Sequence, residues 1–353
     1  GAWRQRDGKY AEFDISWSTE WRQEQVAQHE YRYLEVEPGL GEYSYDSTFA
    51  DYYPDPDGDF VLRIVPSGDY EPVTGILLGG QLSLEPGDNL RNAESDVLRQ
   101  LFGDTRSVTR WRYEEKSRYR TPRFQFGWGT IASPDSAIVQ HLQTLQEDLH
   151  LFQTSAYSAF RYRYFRNTTV NGLDARGTEI ESSREHSLRW RATAFMPWTL
   201  EATVAWRAYR RESLYQDLRN RDLTRMTFTG NFGYHPTPPH LFRTTVNLER
   251  HKGTIARQGA DVRLFGVGEE YTYQISEKGR LTAQLKWNRV NSAGENGFRY
   301  LPFEVVQGNQ PGENFEWRLR ADYKINKYLT FRLNYIGRDE PNRDVYHQGS
   351  GEF

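Results

Sequence analysis

The chain has 353 residues and a formal net charge of −3, with 37% hydrophobic and 26% charged residues. This charge balance gives no indication of a nucleic-acid partner. The absence of cysteine excludes disulfides and thiolate metal sites. No apolar run is long enough for a membrane-spanning helix. The absence of such a run does not exclude membrane-spanning strands, because these strands carry apolar side chains on one face only.

The first 106 residues contain strand signals that follow one another irregularly. Apolar residues alternate with polar ones from Ala11 to Trp17 and from Ile76 to Leu84, and this two-residue period predicts two strands. Between them, stretches rich in Gly, Pro and Asp predict short strands joined by tight turns. We therefore expect a β-rich N-terminal part over residues 1–106, with an extramembrane insertion near residues 37–72.

A different period occurs between residues 133 and 147. Ile138, Leu142 and Leu145 have the spacing of one face of a helix. The pattern predicts a brief helix ahead of the regular strands.

From about residue 150 onward, apolar residues alternate with Arg, Glu, Thr, Asn or Gln. Leu188 to Met196 and Leu200 to Ala208 are two such runs, and residues 197–199 between them predict a tight turn, so the two runs form a hairpin. Similar runs begin at Met226, Phe242, Leu281, Phe315 and Leu329.

The lengths of the runs and of their connections predict the fold. Each run has about 9 to 11 residues, the length that a tilted strand needs to cross a bilayer. Short turns such as 235–240 and 326–328 alternate with long loops such as 210–224 and 291–314, as at the two rims of an outer-membrane barrel. We predict an all-β fold: an antiparallel up-and-down transmembrane β-barrel, or part of a larger barrel, with its barrel strands in residues 107–353, short periplasmic turns and long extracellular loops.

The face opposite the apolar one is mostly arginine interleaved with carboxylates, and in a closed barrel it would line the lumen. Such a wall favours anionic solutes. Alternatively, neighbouring strands pair each arginine with a carboxylate, which neutralises the wall and stabilises the sheet, and we favour this second interpretation. The candidates for the lumen wall are Arg161, Arg163, Arg189, Arg191, Arg207, Arg243, Arg318, Arg320, Arg332, Glu201, Glu249, Glu316 and Asp322.

One short motif suggests a metal ion. Asp55, Asp57 and Asp59 alternate like the carboxylates of a calcium loop. The match is partial, because Phe60 stands where the loop requires Gly and Pro66 where it requires a bidentate Glu. A solvated turn explains the same residues, and we favour it over a calcium site. We expect no other cofactor.

The sequence contains no motif that indicates catalysis. Ser155, His186 and Ser187 lie near predicted strand ends, but no nucleophile elbow or local triad signature accompanies them. The histidines show no short metal-binding spacing. We therefore predict that the protein is not an enzyme.

Several turn and strand signals resemble a known group of proteins. Gly39–Tyr43, Pro54–Phe60, Ser67–Val73 and Asn334–Pro341, together with the arginine- and aromatic-rich strands, resemble large, uncharacterised outer-membrane β proteins of the Bacteroidetes–Chlorobi–Ignavibacteria lineage. The resemblance covers most of the chain and implies a location rather than an activity. Such proteins are expected to end in a full closing strand, whereas only Ser350–Phe353 follow the last predicted loop. We therefore expect that the closing strand is missing and that the chain is a portion of a longer protein.

Two functions stay open. The first is an outer-membrane β-barrel of a Gram-negative-type bacterium that serves as a pore, translocation conduit or surface-anchored scaffold. Its partners would be outer-membrane lipid and either other chains or the remainder of a longer protein. The second is a secreted, soluble β-sheet protein, such as a surface-layer or filament subunit, whose apolar faces pack on another sheet. Lipid contact requires an uncharged belt about 25 Å tall, whereas sheet packing does not.

Overall fold

The computed structural model describes residues 1–5, 11–36, 41–47, 51–86, 104–118, 137–152, 155, 157–172, 178–193, 197–213, 220–255, 258–276, 278–293, 305, 309–326, 329–341 and 343–352. The elements that these residues form are all strands. Within these ranges, no helix has the length and apolar character that crossing a membrane requires.

The strands follow one another closely along the chain. They are β1 (Ala2–Gln5), β2 (Ala11–Glu35), β3 (Gly41–Asp46), β4 (Asp51–Gly58), β5 (Phe60–Pro86), β6 (Arg106–Ser117), β7 (Ile138–Leu151), β8 (Ser158–Asn171), β9 (Glu179–Ala192), β10 (Trp198–Ser213), β11 (Arg221–Thr237), β12 (His240–Ile255), β13 (Gln258–Ile275), β14 (Gly279–Ala293), β15 (Gly312–Lys324), β16 (Thr330–Asp339) and β17 (Tyr346–Glu352).

Each main strand pairs with the next main strand along the chain. β2 pairs with β5, and every strand from β5 to β16 pairs antiparallel with its successor. The predicted antiparallel up-and-down β fold is therefore confirmed, with 14 consecutive strands. β1 flanks β2, and β3 and β4 form a small hairpin. Strands from residues 1–106 and from residues 107–353 belong to the same sheet.

The strands are longer than the sequence pattern predicts, and the connections are correspondingly shorter. β8 to β14 have 14 to 18 residues each. We call the edge where β9 connects to β10 the lower rim and the edge where β2 leads towards β5 the upper rim. The alternation of short and long connections, predicted from about residue 150 onward, fails at one connection there, and it does not extend to the connection between β5 and β6. Only residues 256–257 separate β12 from β13 at the upper rim, and residues 87–105 separate β5 from β6 at the lower rim.

The helix predicted for residues 133–147 is wrong where the structure describes this segment. Residues 138–151 form β7, which pairs with β6 and β8. Leu142 and Leu145 lie on opposite faces of this strand, because successive side chains of a strand alternate. Hydrogen bonds from the backbone of β7 to both β6 and β8 stabilise the strand. The helical spacing rested on only three apolar residues and was a weaker signal. Residues 133–136 lie outside the described residues.

The two faces of the sheet differ in composition. Directly opposed residues of paired strands share a face, so Leu188, Val204 and Phe228 lie on one face, which we call the apolar face. Arg189, Thr203 and Thr229 lie on the other, the polar face. The main cavities are lined largely by polar-face residues, so the sheet curves around this face.

The apolar face is not covered by a second layer of the described residues. Val204 is 55% exposed, Met226 58% and Leu285 57%. Trp190, Leu319 and Phe331 are partly exposed rather than buried. In a water-soluble sandwich this face would form the core, so the arrangement excludes a compact two-layer fold within the described chain.

The β2–β5 hairpin extends well beyond the neighbouring strand. β6 pairs with β5 only between Thr74 and Leu84. Residues 60–73 of β5 therefore continue, paired chiefly with β2, for about 45 Å at about 3.3 Å per residue. Tyr33 and Tyr52 stack at 3.8 Å near the tip, where Tyr43 and Phe60 also pack. We call this projection the arm. The short strands expected near residues 37–72 are β3 and β4, whereas residues 67–73 belong to the long strand β5.

Tryptophan side chains lie over cross-strand glycines on the apolar face. Trp317 is paired with Gly337, and a Cβ atom at Gly337 would lie 2.2 Å from the indole. Trp111 stands in the same relation to Gly80. A glycine at these positions lets the ring lie flat along the sheet.

We expect the substitution Gly337→Ala to lower the free energy of unfolding by about 1 to 3 kcal/mol, because the added methyl group displaces the indole of Trp317. Gly230→Ala is the matched control: it lies on the same face, and its Cβ would meet no atom closer than 3.5 Å. Equilibrium urea unfolding followed by tryptophan fluorescence compares the two. Equal stability of both variants would show that the indole is not held over Gly337.

Candidate functional site

The apolar face forms a belt that ends at a row of charged residues. Along β10 the outward residues from Trp198 to Ala208 are uncharged, and Arg210 and Glu212 follow them. The stretch from Trp198 to Ala208 is about 33 Å long at about 3.3 Å per residue. A strand tilt of about 40° reduces this to about 25 Å along the barrel axis, the height of a lipid-facing belt.

Most strands from β8 to β16 change from uncharged to charged outward residues at a corresponding level. The strand registers connect these positions through opposed or adjacent pairs, such as Arg184 with Arg166 and Arg210 with Asp222. The first charged residues above the belt are Arg166, Arg184, Arg210, Asp222, Arg250, Arg263, Arg289, Glu313 and Asp339.

Two carboxylates interrupt the belt, and both are hydrogen-bonded. Glu269 on β13 accepts a hydrogen bond of 2.9 Å from the hydroxyl of Thr244. Glu147 on β7 accepts hydrogen bonds from the hydroxyls of Ser107 and Thr109. Such partners reduce the free-energy cost of placing a carboxylate in apolar surroundings.

Aromatic residues concentrate at the lower end of the belt. Trp198 stacks on Tyr234 with a ring separation of 3.9 Å, and Phe242 contacts Tyr271 at 4.8 Å. His240 and the hydroxyl of Tyr271 are hydrogen-bonded at 2.8 Å. Rings with a polar edge are favoured at the boundary between hydrocarbon and water. This cluster therefore has the composition of an interfacial girdle.

The structure places all of the sequence-derived wall candidates on the polar face. The registers relate Arg161 to Arg189 and Glu201 to Arg191, and corresponding pairs extend this face to the other strands. The residues concerned are Arg161, Arg163, Arg189, Arg191, Arg207, Arg243, Arg318, Arg320, Arg332, Glu201, Glu249, Glu316 and Asp322.

Most of these arginines have a carboxylate partner. Arg189 binds Glu201, and Arg320 lies 2.9 Å from Asp322, which is also 3.8 Å from Arg332. The other pairs are Arg318 with Glu316 at 3.4 Å and Arg243 with Glu270 at 3.8 Å. Arg207 lies over the ring of Tyr209. Arg191 is exposed and has no ion pair among the described residues.

Asp148 on β7 is the most densely bonded carboxylate on the polar face. Its side chain is 2% exposed and lies 3.2 Å from Arg110, 2.8 Å from Arg161 and 2.8 Å from Arg163. Sequence reasoning missed Asp148 because the helical interpretation of residues 133–147 concealed a strand. The alternation of Leu149 and Leu151 with Asp148 and His150 was the available signal.

A second buried cluster lies on the polar face near the upper rim. Arg225 donates a hydrogen bond of 2.6 Å to Glu249, which also contacts His251. Beside them, Leu223, Ile255, Val262 and other apolar side chains pack against Val305 of the connection between β14 and β15.

Val305 is 1% exposed. In the same connection, Asn309 accepts a hydrogen bond of 3.2 Å from Asn288 of the polar face. The described part of this connection thus lies against the polar face rather than outside the sheet. It occupies space that the curved sheet would otherwise leave open.

The predicted calcium ligands fall at the tip of the arm. Asp55 and Asp57 belong to β4, and Asp59 lies at the bend that follows it. The side chains of Asp55 and Asp57 lie outside the described residues, so calcium binding there stays a prediction. Within the described part of the chain, no group of three or more histidine or carboxylate side chains could hold a metal ion.

No protein-family model and no curated protein matches the sequence. Two solved structures resemble it in fold. One is described as outer-membrane expressed OmpT of Vibrio cholerae, at 11% identity and a TM-score of 0.34, covering 93% of this chain and 87% of that chain. The other is a mutant of the TodX monoaromatic hydrocarbon channel, at 10% identity and a TM-score of 0.29, covering 94% of this chain and 84% of that chain.

We expect Val305→Asp to detach the connection between β14 and β15 from the polar face, because it places an unpaired carboxylate in an apolar cluster. Trypsin should then cleave after Arg299 faster than in the wild-type protein. Val345→Asp, an exposed valine between β16 and β17, is the control and should leave the cleavage rate unchanged. Equal cleavage of both variants would contradict the packing of Val305.

The charged row above the belt predicts a pH effect. Two hydrogen bonds from Arg250 to Asp261, of 3.0 Å and 2.6 Å, hold the pKa of the Asp261 carboxyl below its ordinary value of 3.8. The stability that this pair contributes is therefore present above about pH 3.8 and is lost as the pH falls through the lowered pKa.

Asp261→Asn should flatten the dependence of unfolding stability on pH below pH 4, measured by urea unfolding across the acid range. Glu313→Gln is the matched control, because Glu313 is exposed and its contact with Arg289 is long, at 4.0 Å. This pair should therefore contribute little to the pH dependence of stability. If the unfolding stability of the Asp261 variant depended on pH as that of the wild type does, the Arg250–Asp261 pair would not be the source of the pH effect.

Proposed function

We propose that the chain is a membrane-embedded β-barrel, or part of one, in the outer membrane of a Gram-negative-type bacterium. We further propose that its polar face lines an aqueous conduit. The observation that carries the proposal is the exposed belt about 25 Å tall, which is uncharged apart from two hydrogen-bonded carboxylates and is limited by a charged row at its upper end. An apolar face of this height is stable in contact with hydrocarbon and costly in contact with water.

The paired backbone supports the same proposal. Strands β5 to β16 pair on both sides, so their peptide groups are bonded within the sheet over the belt. A sheet is stable in a bilayer only when its backbone groups are hydrogen-bonded to each other, because the bilayer interior contains no water to bind unpaired N–H and C=O groups. The polar face, which carries many charges, must then face water on the inside.

The alternative is a secreted, soluble sheet protein whose apolar face packs on another chain. Packing between sheets does not require charged outward residues to begin at a common level along most of the strands. The belt therefore favours lipid as the partner. The resemblance to outer-membrane proteins of the Bacteroidetes–Chlorobi–Ignavibacteria lineage stays a prediction.

We propose that the protein is not catalytic. His186 and Ser187 are consecutive residues of β9, so their side chains lie on opposite faces of the sheet. His186 is hydrogen-bonded to the hydroxyl of Tyr162 at 2.8 Å on the apolar face. Ser155 precedes β8 at the lower rim. These three residues therefore do not lie together as members of a catalytic triad.

Neighbouring residues of β10 provide the test of the membrane assignment. In a bilayer, Val204→Arg puts a charge against hydrocarbon near the middle of the belt, and it should lower the free energy of unfolding by about 2 to 4 kcal/mol. Thr203→Arg is the matched control, because it adds the same charge one residue away on the polar face. Urea unfolding of protein refolded into phospholipid vesicles gives both values.

The soluble alternative predicts a different result. In that case the isolated chain, without the partner that would cover this face, exposes Val204 to water (55% exposed) and would tolerate arginine there within about 0.5 kcal/mol. The protein would also stay monodisperse without detergent. Equal stability of the two variants in vesicles, or solubility in plain buffer, contradicts the membrane proposal.

A further inference from the structure

Four neighbouring strands concentrate positive charge in the lower half of the polar face. One rung of the sheet carries Arg106, His150, Arg161 and Arg189 side by side on β6 to β9. Adjacent strands are about 4.8 Å apart, so these basic side chains lie within reach of one solute. Of the remaining arginines of the group, Arg163 and Arg191 lie on the two flanking rungs of this face, and Arg110 lies one rung above Arg163.

Carboxylates neutralise only part of this charge. Asp148 alone serves Arg110, Arg161 and Arg163. From the flanking strands, Glu85 lies 3.4 Å from Arg106, and Glu201 binds Arg189. Five of the six arginines thus share three carboxylates, and the sixth, Arg191, has no ion pair among the described residues. Glu185, one rung above Asp148, stands opposite Arg207, which adds one charge of each sign.

The geometry of Asp148 leaves donors available. Arg163 contacts Asp148 only through Nε, at 2.8 Å, so its two terminal nitrogens make no hydrogen bond within the described residues. Arg110 donates from Nε to Gln81 at 2.9 Å and from Nη1 to Asp148. Asp148 therefore orients the guanidinium groups without satisfying them. The side chains of Arg110 and Arg163 stay 49% and 37% exposed.

A cavity of about 720 Å³ adjoins this group. Arg110 and Gln146 line the cavity and also contact Asp148, so the basic group and the cavity are continuous. Arg112 and the hydroxyl-bearing Ser16 and Ser18 belong to the same wall. The space is large enough for a small organic solute, and its wall supplies hydrogen-bond donors.

We propose that the arginines around Asp148, which we call the Asp148 cluster, form an oxyanion-binding site on the conduit wall. The ligand class is a small solute bearing carboxylate or phosphate groups. The planar fork of a guanidinium donates two parallel hydrogen bonds to such groups, which chloride cannot match. Asp148 is a positioning residue. The role of the site in transport rests on the proposed conduit, whereas binding itself does not.

The test is calorimetric titration of the refolded full chain in uncharged detergent, in a constant chloride background, with inorganic pyrophosphate in one arm and citrate in the other. We expect saturable binding of one molecule per chain in at least one arm. The double variant Arg161→Gln/Arg163→Gln should weaken it about tenfold or more, because each lost hydrogen bond to a charged group corresponds to about one such factor.

The matched control is Arg318→Gln/Arg320→Gln. It removes the same charge from the same face of the sheet, but there the two arginines contact two different carboxylates of their own strand, Glu316 and Asp322. Its affinity should stay within about threefold of the wild type. The single variant Arg163→Gln, which loses one contact with Asp148, serves as the test if the double variant does not refold.

Three results would overturn the proposal: no saturable binding in either arm, equal weakening by both double variants, or unchanged affinity after loss of Arg163 and Arg161. Equal weakening would indicate that the anion is attracted by the total positive charge of the polar face and not by a specific site. The arm with the tighter binding identifies phosphate or carboxylate as the preferred group. Failure of the membrane assignment is recognised separately, by the comparison of arginine at positions 203 and 204.

Discussion

The structure depends on one constraint: each strand divides its side chains between two faces, and the backbone groups between those faces are bonded to neighbouring strands. Once β5 to β16 are paired on both sides, only side chains are left to contact the surroundings. A face that exposes Val204, Met226 and Leu285 then requires apolar surroundings, whereas a face rich in arginine requires water. The apolar face therefore requires hydrocarbon or another apolar surface next to it, and the polar face requires water.

The polar face shows how a dense arrangement of charges is accommodated. Burying Asp148 without partners would be costly, and three guanidinium groups offset that cost. The arginines incur less cost, because each stays partly in contact with the space that the sheet surrounds. Elsewhere on this face, Arg320 with Asp322 and Arg318 with Glu316 form pairs within one strand. The face thus combines a paired region at β15 with an incompletely neutralised region at β6 to β9, which uniform pairing of charges does not explain.

The two-residue period made much of this arrangement predictable from sequence. It identified the antiparallel strands and placed residues as distant as Arg161 and Arg332 on one face. It did not locate strand ends, because β10 continues through Arg210 and Glu212 with the same period after the apolar residues stop. Nor did it find Asp148, whose role depends on Arg110 and Arg161 of neighbouring strands, and register between strands is not encoded in the period of any one of them.

The upper and lower rims differ physically. The lower rim carries the aromatic girdle around Trp198 and Tyr234, and most of its connections are short. The arm leaves from the upper rim, and there the connection between β14 and β15 turns back so that Val305 packs on the polar face. If the polar face lines a conduit, as we propose, the described part of this connection would narrow it near its upper end, whereas the Asp148 cluster lies nearer the lower end. A solute moving along the polar face would therefore meet a steric restriction and an electrostatic attraction at different depths, so size and charge would be selected by separate parts of the wall.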